Sequence, residues 1–467
     1  MFKNKNIILN LITLAALALV LLVSLRPAYV SSSPQDFVGD EHVSARSFIS
    51  IESTPIIIPD IYMEQELSVD TEAPDEPDIP VHNPVETAPG IDALDLTDSL
   101  TLSISIERSD GNESNSDDES VSSLEPTLDV LLDRDVLTKL TFENDTQITI
   151  SSTEEVHSIY LVWDTPPKKW HLIGYGTQHC GENGFVHEYV NLAAPSTELT
   201  ISIPDNDAAL CDIYAFSEGS PPQWVQTWQP PLSQADMLLI PTHFEDEYLY
   251  FVGLLPYYAG ELGYRIQIAF MTNHWNEPPR THEMLDGLWF MGVRHYPVIG
   301  EFDNYDTDSI EDARELYGQE KFIDYQVELL RRFKPQVVIS HDLNGEYGHG
   351  AHMLAASSLQ TAVENAADST YHTASYELYG VWDTPKLYLH LYWENTISMN
   401  WDISLSRFDG ATAAEIAVAG FDYYQIKLHP LATVPSIGPS GHVFGLVRST
   451  VGADSIGGDV FENIFTG

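Results

Sequence analysis

Two short segments of the sequence carry clustered histidine and carboxylate side chains. The first reads Thr242-His243-Phe244-Glu245-Asp246-Glu247, and the second reads His341-Asp342-Leu343-Asn344-Gly345-Glu346-Tyr347-Gly348-His349-Gly350-Ala351-His352. Imidazoles and carboxylates are the usual protein ligands of catalytic divalent metals, and they also act as general acids and bases. Together the two segments predict a metal site that takes ligands from both.

The spacing within the second segment favours a catalytic site. If a helix begins near His349, then His349 and His352 are three residues apart and lie on one face of it. Two imidazoles with the carboxylate of Asp246 give three ligands and an open position, which is the usual form of a catalytic zinc. Glu245 would then act as a base toward water at the metal. Fe(II) in a non-haem oxygenase uses the same ligand types, so these residues alone leave the metal open.

Each segment follows a predicted buried strand. Apolar runs predict strands at 236–242, 264–270, 296–299, 336–340 and 386–390, and helical spacing predicts helices from 246 to 259 and at 280–292, 310–333 and 349–366. Strands that alternate with helices indicate βαβ units and a parallel sheet, in which ligands bind beyond the carboxyl ends of the strands. The predicted fold class is α/β with a Rossmann-like, mostly parallel sheet. This pattern argues against the double-stranded β-helix of an oxygenase.

The two segments resemble the paired motifs of the PIG-L/LmbE de-N-acetylases. That family carries His-Pro-Asp-Asp-Glu after its first strand and a second motif of the form His-Asp-x-Asn-Gly-Glu-Tyr-Gly-His-x-x-His. The second motif matches this sequence almost completely. The resemblance runs from about residue 235 to the C-terminus and leaves the first 230 residues outside it.

The resemblance implies a metal-dependent catalytic centre. The zinc ligands of the family fall on His243, Asp246 and His352, and its general base falls on Glu245, where Asp is usual. Phe244 also replaces the usual proline, so this loop lacks that residue's fixed φ angle.

The resemblance also implies residues that contact the reacting group and the sugar. His349 matches a histidine that, when charged, stabilises the tetrahedral oxyanion, and Tyr347 matches a tyrosine that can donate to the same oxyanion. Arg280 falls near an arginine that contacts sugar hydroxyls. Asp303, with Asn304, follows a predicted strand and is a further candidate for contacts with substrate, although ordinary loop polarity explains these two residues equally well.

Several other polar residues are better explained by packing than by chemistry. His274, His282 and His295 lie among aromatic residues, which favours a packing or surface role over metal ligation. His390 ends a predicted strand and is a weaker candidate for reaching the pocket.

The activity implied by the resemblance is hydrolysis of an acetamide, typically on N-acetylglucosamine, to an amine and acetate. Zinc is the expected cofactor, with Fe²⁺ or another divalent metal as the alternative. The expected substrate is an N-acetylated glycan or glycoconjugate. A competing hypothesis is a catalytically inactive glycan-binding surface protein on the same scaffold, for which the change at Glu245 is the best support.

The sequence ahead of this domain predicts three further parts, namely a β-sandwich-like domain, an acidic linker and an N-terminal signal peptide or anchor. Residues 136–232 read as short strands separated by turns, which predicts a β-sandwich-like domain, followed by the deacetylase domain at 233–467. The tryptophans of the sandwich-like domain form either its core or a sugar-stacking face: Trp163, Trp170, Trp224 and Trp228. Cys180 and Cys211 form either one disulfide or two buried thiols.

The N-terminal region indicates export from the cytosol. Residues 1–30 place Lys3 and Lys5 before an apolar run, which is typical of a signal peptide or an N-terminal membrane anchor. Residues 31–135 hold 26 Asp and Glu against three Arg and no Lys, which predicts a disordered acidic linker. A formal net charge of −49 argues against nucleic-acid binding. The expected location is therefore extracytoplasmic, either membrane-anchored or secreted.

Overall fold

Two β-sheets organise the part of the chain that the structure describes. The structure is a computed structural model and describes residues 91–106, 128–142, 145–204, 208–424, 441–455 and 458–464. The predicted signal or anchor at 1–30 and most of the predicted acidic linker lie outside these residues. Within them, no helix has both the length and the apolar composition needed to cross a membrane.

The first sheet has seven strands, all paired antiparallel. These are β1 (Thr101–Ile106), β2 (Leu140–Thr141), β3 (Thr146–Trp163), β4 (Trp170–Ile173), β5 (Thr177–Cys180), β6 (His187–Ile203) and β7 (Ala209–Phe216). Their order is β2-β7-β3-β6-β4-β5, and β1 pairs with β3. The register of β3 against β6 shifts between Ser151 and Ser158, which divides both long strands into two halves. Apolar side chains from both halves share one core, so the sheet folds into a β-sandwich.

The tryptophans and cysteines of the sandwich mostly serve packing. Trp163 and Trp170 are fully buried, with ring centroids 5.8 Å apart, and Trp228 is also buried. The prediction of a sandwich core is therefore correct for Trp163 and Trp170, whereas Trp228 packs against Trp289 and Tyr296 of the following domain and Trp224 is 46% exposed. Cys180 and Cys211 are buried free thiols, which decides against a disulfide.

Part of the predicted linker is ordered, so the prediction of disorder over 31–135 is wrong there. Strand β1 pairs with Thr146–Ser151 of β3, and Leu96, Leu100 and Leu131 are buried in the sandwich core. The sequence of β1 alternates polar and apolar residues, Thr-Leu-Ser-Ile-Ser-Ile, which is the pattern of a strand with one buried face. The acidic residues on either side of β1 gave the whole stretch the composition of a linker, so this alternation was not interpreted as a strand.

The second sheet belongs to the α/β domain. Its strands are β8 (Met237–Leu239), β9 (Ile266–Ile268), β12 (Val337–Ser340), β13 (Lys386–His390), β14 (Thr396–Ser398) and β15 (Val443–Ser449), and β10 (Thr272–Asn273) pairs separately with β11 (Phe302–Asp303). The order is β14-β15-β13-β12-β8-β9. Strands β9, β8, β12 and β13 are parallel, and β15 joins antiparallel to β13 and β14. The sheet is thus mostly parallel, as predicted.

Helices cover the second sheet. They are α1 (Asp246–Leu249), a π-helix (Leu255–Glu261), α2 (Pro278–Phe290), α3 (Ile310–Tyr317), α4 (Gln319–Phe333), α5 (Gly350–Ala366), α6 (Thr373–Tyr379) and α7 (Ala413–Phe421). Helix α2 begins with proline at its first position, where the missing N–H costs nothing. Helix α5 is rich in alanine and buries most of its surface.

Three predicted elements differ from the structure. The helix predicted over 310–333 is divided at Gly318, whose φ of 81° ends α3 before α4 begins. The helical stretch predicted from 246 to 259 becomes the short helix α1 and the π-helix. The strand predicted at 296–299 forms one isolated bridge, from Val298 to Ala269, and a second bridge lies just before it at His295.

Candidate metal centre and active site

The candidate site lies at the carboxyl ends of three neighbouring parallel strands. His243 follows β8, His341 immediately follows β12, and His390 is the last residue of β13. Helix α5 begins beside them, so that His349 forms its N-cap and His352 lies in its first turn. The pairing of β8, β12 and β13 therefore brings together residues more than 100 positions apart in sequence.

The structure brings together the three predicted metal ligands. His243 Nδ1 lies 2.9 Å from His352 Nε2 and 3.5 Å from Asp246 Oδ2, and His352 Nε2 lies 3.4 Å from Asp246 Oδ1. The backbone N–H groups of Thr242 and His243 donate to Asp246 Oδ2 and fix the carboxylate. All three ligand residues are buried.

The two distances to Asp246 fit a tetrahedral metal ion, whereas the two histidine nitrogens, 2.9 Å apart, would have to separate slightly to bind it. Bonds of about 2.0–2.2 Å at tetrahedral angles place ligand atoms roughly 3.3–3.6 Å apart. Two overlapping trios of buried groups have ligand atoms within 4.8 Å of one another: His243, His349 and His352, and Asp246, His341 and His352. The cluster could therefore hold a metal ion, and it offers more donors than the three predicted from sequence.

Glu346 orients three of the imidazoles through contacts with their Nδ1 atoms. Its Oε2 lies 2.8 Å from both His341 Nδ1 and His352 Nδ1, and its Oε1 lies 2.7 Å from His390 Nδ1. A metal-binding histidine typically donates its second ring N–H to a carboxylate, which selects the tautomer that leaves the other nitrogen free for the metal. Glu346 makes that contact to His352 and directs Nε2 toward Asp246.

The site is electrostatically organised around two buried carboxylates. Burial alone would raise the pKa of Asp246 and of Glu346, but the neighbouring histidines hold both well below the usual range. Burial opposes protonation of His341, yet Glu346 and Asp246 raise its pKa to about 10. Both carboxylates are therefore ionised, and they supply negative charge that a bound cation would balance.

Glu245 lies next to the ligands in a strained backbone conformation. Its φ of 91° is in the left-handed region, which costs a non-glycine residue about 1–3 kcal/mol and is characteristic of functional sites. Its carboxylate forms an ion pair with Arg280, and its backbone N–H donates to Glu247 Oε2 at 3.1 Å. Burial raises the pKa of Glu245 well above the usual value, although the charge of Arg280 opposes the shift.

Glu247 supports this loop from the protein interior. Its Oε1 accepts a hydrogen bond from Tyr424 at 3.0 Å, while Oε2 accepts from the Glu245 backbone. Burial raises the pKa of Glu247 to about 8. The acidic residue that ends the first motif thus holds the backbone of Glu245 in place.

His349 and Tyr347 border the ligand cluster. The ring of His349 lies 4.7 Å from those of His243 and His352, and its Nε2 lies 3.6 Å from Asp306 Oδ1. Burial, together with the neighbouring histidines, lowers the pKa of His349 to about 3, so the imidazole is neutral in this arrangement. Tyr347 has a φ of 49° and is 78% exposed, with its ring 5.6 Å from that of His349.

Part of the chain is similar in sequence to curated deacetylases. No protein-family model matches the chain. It is 36% identical over 117 residues to a 1D-myo-inositol 2-acetamido-2-deoxy-alpha-D-glucopyranoside deacetylase of Geodermatophilus obscurus, and 33% identical over 117 residues to a second such deacetylase of Saccharopolyspora erythraea. The matches cover 23% of this chain and 39% and 42% of those proteins. The resemblance to the PIG-L/LmbE deacetylases is confirmed.

The matched region spans about two fifths of the length of these curated deacetylases. Among solved structures, an N,N'-diacetylchitobiose deacetylase from Pyrococcus horikoshii matches with a TM-score of 0.30 and 16% identity, over 41% of this chain and 73% of that one. A family 32 carbohydrate-binding module from C. perfringens NanJ, in complex with galactose, matches with a TM-score of 0.19 and 14% identity, over 27% of this chain and 99% of the module.

Two residues predicted to contact substrate differ in their placement in this deacetylase-like domain. Arg280 is buried on α2 and bonds Glu245, which places it beside the predicted base. Asp303 is exposed on β11 and accepts a hydrogen bond from Tyr305. No contact within the described residues joins Asp303 to the ligand cluster. Both substrate roles stay predictions.

Sequence reasoning did not assign His341 and Glu346 any role in the deacetylase-like site. His341 stacks on His352 with ring centroids 3.9 Å apart, and Glu346 contacts three of the histidines, as described above. A usable signal was present, since a glutamate five residues after one histidine and six before another has few explanations other than pairing with both. His390 does reach the site, where it contacts Glu346 rather than the ligand atoms.

Helix α2 connects this site to the sandwich. Nδ1 of its residue His282 lies 2.8 Å from His187 Nε2, and the Tyr160 hydroxyl lies 2.6 Å from His187 Nδ1, both at hydrogen-bond distance. Burial lowers the pKa of both histidines, so both are neutral and each ring can donate at one nitrogen and accept at the other. Farther along the helix, Asp286 accepts from Gln226 at 2.5 Å. The helix that carries Arg280 is therefore held by side chains of the preceding segment, and His282 is a packing residue as predicted.

We expect His187→Ala to destabilise the protein measurably. The change leaves His282 Nδ1 buried without its partner, removes one of the partners of the buried Tyr160 hydroxyl and opens a cavity, which costs roughly 2–4 kcal/mol in the free energy of unfolding. Urea unfolding of the variant measures this loss. His179→Ala, at an exposed position on the same sheet, serves as the control and should change stability by less than about 0.5 kcal/mol. Equal losses in the two variants would contradict this account of the interface.

Proposed function

We propose that this protein hydrolyses the acetamide of an N-acetylated sugar or glycoconjugate and releases acetate. The observation that carries the proposal is the convergence of His243, Asp246 and His352 within 2.9–3.5 Å, beside Glu245. The curated relatives are deacetylases of an acetamido sugar, which supports the same substrate class. We further propose a Rossmann-like arrangement for the α/β domain, supported by its four parallel strands and the position of the site at their carboxyl ends.

His243, Asp246 and His352 are the residues that would hold the metal, and we propose zinc. When bound, such an ion supplies Lewis-acid chemistry, because it polarises a carbonyl oxygen and lowers the pKa of water. Histidine nitrogen and carboxylate oxygen with an open position suit zinc, and they also suit Fe²⁺ or another divalent ion. Glu346 serves this set by fixing the tautomer of His352.

Glu245 acts as the general base. It takes a proton from water as the water oxygen adds to the acetamide carbonyl carbon, and it returns that proton to the amide nitrogen as the C–N bond breaks and acetate and the amine are released. Burial raises its pKa, which makes the ionised form a stronger base than an ordinary carboxylate, and the charge of Arg280 limits that rise. His349 and Tyr347 lie where hydrogen-bond donors could face the developing oxyanion.

The direct test is acetate release by the purified protein. N-acetylglucosamine oligomers, an N-acetylglucosaminyl-inositol and cell-wall fragments are the substrates, assayed as purified, after chelation and after zinc is restored. We expect release that chelation abolishes and zinc restores. The competing hypothesis, an inactive glycan-binding protein, gains support if zinc binds and these sugars bind but no acetate appears.

Arg280→Gln should move the acid limb of the kcat/KM profile to higher pH. The guanidinium favours the ionised form of Glu245, so its removal raises the pKa of that carboxyl, and the base is then protonated over a wider pH range. The fractional loss of activity should consequently be larger at pH 6 than at pH 8. Arg280→Lys keeps the charge and should leave the limb near its original position. A uniform loss across pH would assign Arg280 to substrate binding alone.

We also propose that the protein acts outside the cytosol, held by its N-terminal segment. The apolar run from Ile7 to Leu25 after Lys3 and Lys5 supports this location. Fractionation of cells into cytosol, membrane and medium tests it.

A further inference from the structure

A cavity of about 390 Å³ lies at the end of the second sheet opposite the candidate metal centre. It is bordered by residues that precede or begin β9, by the segment after α2, and by the loop before α7. Its charged and aromatic lining consists of Tyr264, Arg265, Arg294, His295, Arg407 and Phe408. The histidines of the metal centre follow the carboxyl ends of the strands, so the cavity is separate from that site.

The lining is unusual for so acidic a chain. The sequence has 21 Lys and Arg against 70 Asp and Glu, yet three arginines border this one cavity. Arg265 pairs with Asp236 at 2.6 Å, and the backbone N–H of Arg407 donates to Glu261 at 2.8 Å. Neither acidic residue borders the cavity, but Asp236 balances the charge of Arg265, and Glu261 lies beside Arg407.

Arg294 is the arginine whose charge is not balanced. Its Nη1 donates to the carbonyls of Trp289 and Val293 at 2.8 Å each, and its guanidinium carbon lies 3.9 Å from the centre of the Trp289 ring. These contacts fix the guanidinium, and they also cap the end of α2. No carboxylate forms an ion pair with Arg294 within the described residues.

The surroundings of Arg294 favour an anionic partner. Arg294 is exposed, and the protein around its guanidinium lowers its pKa to about 10 with no acidic group to offset the effect. A guanidinium that is fixed by carbonyl contacts, open to solvent and without a carboxylate partner can bind an anion that enters the cavity. The capping contacts use only Nη1, so Nη2 and Nε remain able to form the paired hydrogen bonds that guanidinium groups make to oxyanions.

We propose that this cavity binds an oxyanion, namely a carboxylate, sulfate or phosphate group, with Arg294 and Arg407 as its principal ligands. The occupant we favour is the acidic group of a saccharide, because the cavity is too large for a small inorganic ion alone and has Tyr264 and Phe408 beside the arginines. Aromatic rings and arginine together suit a charged sugar. The site requires neither the metal nor hydrolysis.

Isothermal titration of the full chain with an oligogalacturonate, inorganic phosphate and a neutral N-acetylglucosamine oligomer tests the site. A chelator is present throughout, so that anions cannot bind at the metal centre. We expect saturable binding of oligogalacturonate, weaker binding of phosphate, and loss of affinity of about tenfold or more in Arg407→Gln and in Arg294→Gln. Binding of phosphate as tight as that of the oligomer would keep the oxyanion site and make a free phosphate its occupant.

The matched control is Arg314→Gln, an exposed arginine on α3 far along the chain from the cavity, which should leave affinity unchanged. Arg294 also caps α2, so thermal unfolding is measured for each variant, and Arg407→Gln alone decides the matter if Arg294→Gln is unstable. The proposal is overturned if no anion binds saturably, if the neutral oligomer binds as well as the acidic one, or if affinity survives both Arg294→Gln and Arg407→Gln.

Discussion

Glu245→Gln should lower the rate of acetate release by roughly 100- to 10,000-fold while zinc remains bound. The amide has nearly the shape of the carboxylate and can still accept a hydrogen bond from Arg280, so the strained loop keeps its main contact. What the change removes is the ability to take a proton from water. Because Glu245 is not one of the three proposed ligands, the metal content should stay at the level of the unchanged protein.

Glu245→Asp is the informative companion variant. The PIG-L/LmbE family usually has Asp at this position, so the shorter carboxylate should retain much of the activity that Glu245→Gln loses. Steady-state acetate release, with metal content measured on the same samples, separates the two variants. Activity that survives Glu245→Gln would remove Glu245 from the role of base.

The metal ligands could be predicted from the sequence because each lies in a short motif directly after an apolar run. His243 and Asp246 follow one apolar run, His352 follows another, and parallel strands deliver whatever follows them to the same edge of a sheet. A long motif added specificity to that inference. Strand β1 shows the opposite situation, since six alternating residues within an acidic stretch could be identified only by giving periodicity more weight than charge.

The features that sequence reasoning missed depend on contacts distant along the chain. The hydrogen bond between His187 on β6 and His282 on α2 joins residues 95 positions apart, and nothing local in either residue predicts the other. The pairing of Arg280 with Glu245 likewise depends on how α2 packs over the loop after β8. The division of the helix at Gly318 was predictable in principle, because a single glycine in the left-handed region commonly ends a helix.

Glu346→Gln should weaken metal binding by about 10- to 100-fold, although Glu346 is not a ligand. The glutamate accepts from His341 and His352 at one oxygen and from His390 at the other. An amide has only one oxygen, so its NH₂ group must face at least one ring nitrogen that now donates. Whichever histidine faces the NH₂ must move or change tautomer. If that residue is His352, its Nε2 becomes protonated and can no longer bind a metal.

The same change should also reduce the free energy of unfolding by roughly 3–5 kcal/mol without metal, because it removes one partner from a buried charge cluster. Competition with a chromogenic chelator measures the affinity, and urea unfolding with and without zinc measures the stability. The matched control is Glu364→Gln, an exposed glutamate on α5, which should change neither quantity. If metal affinity is unaffected while stability falls, Glu346 serves only the packing of the site, and His352 has its tautomer set by other groups.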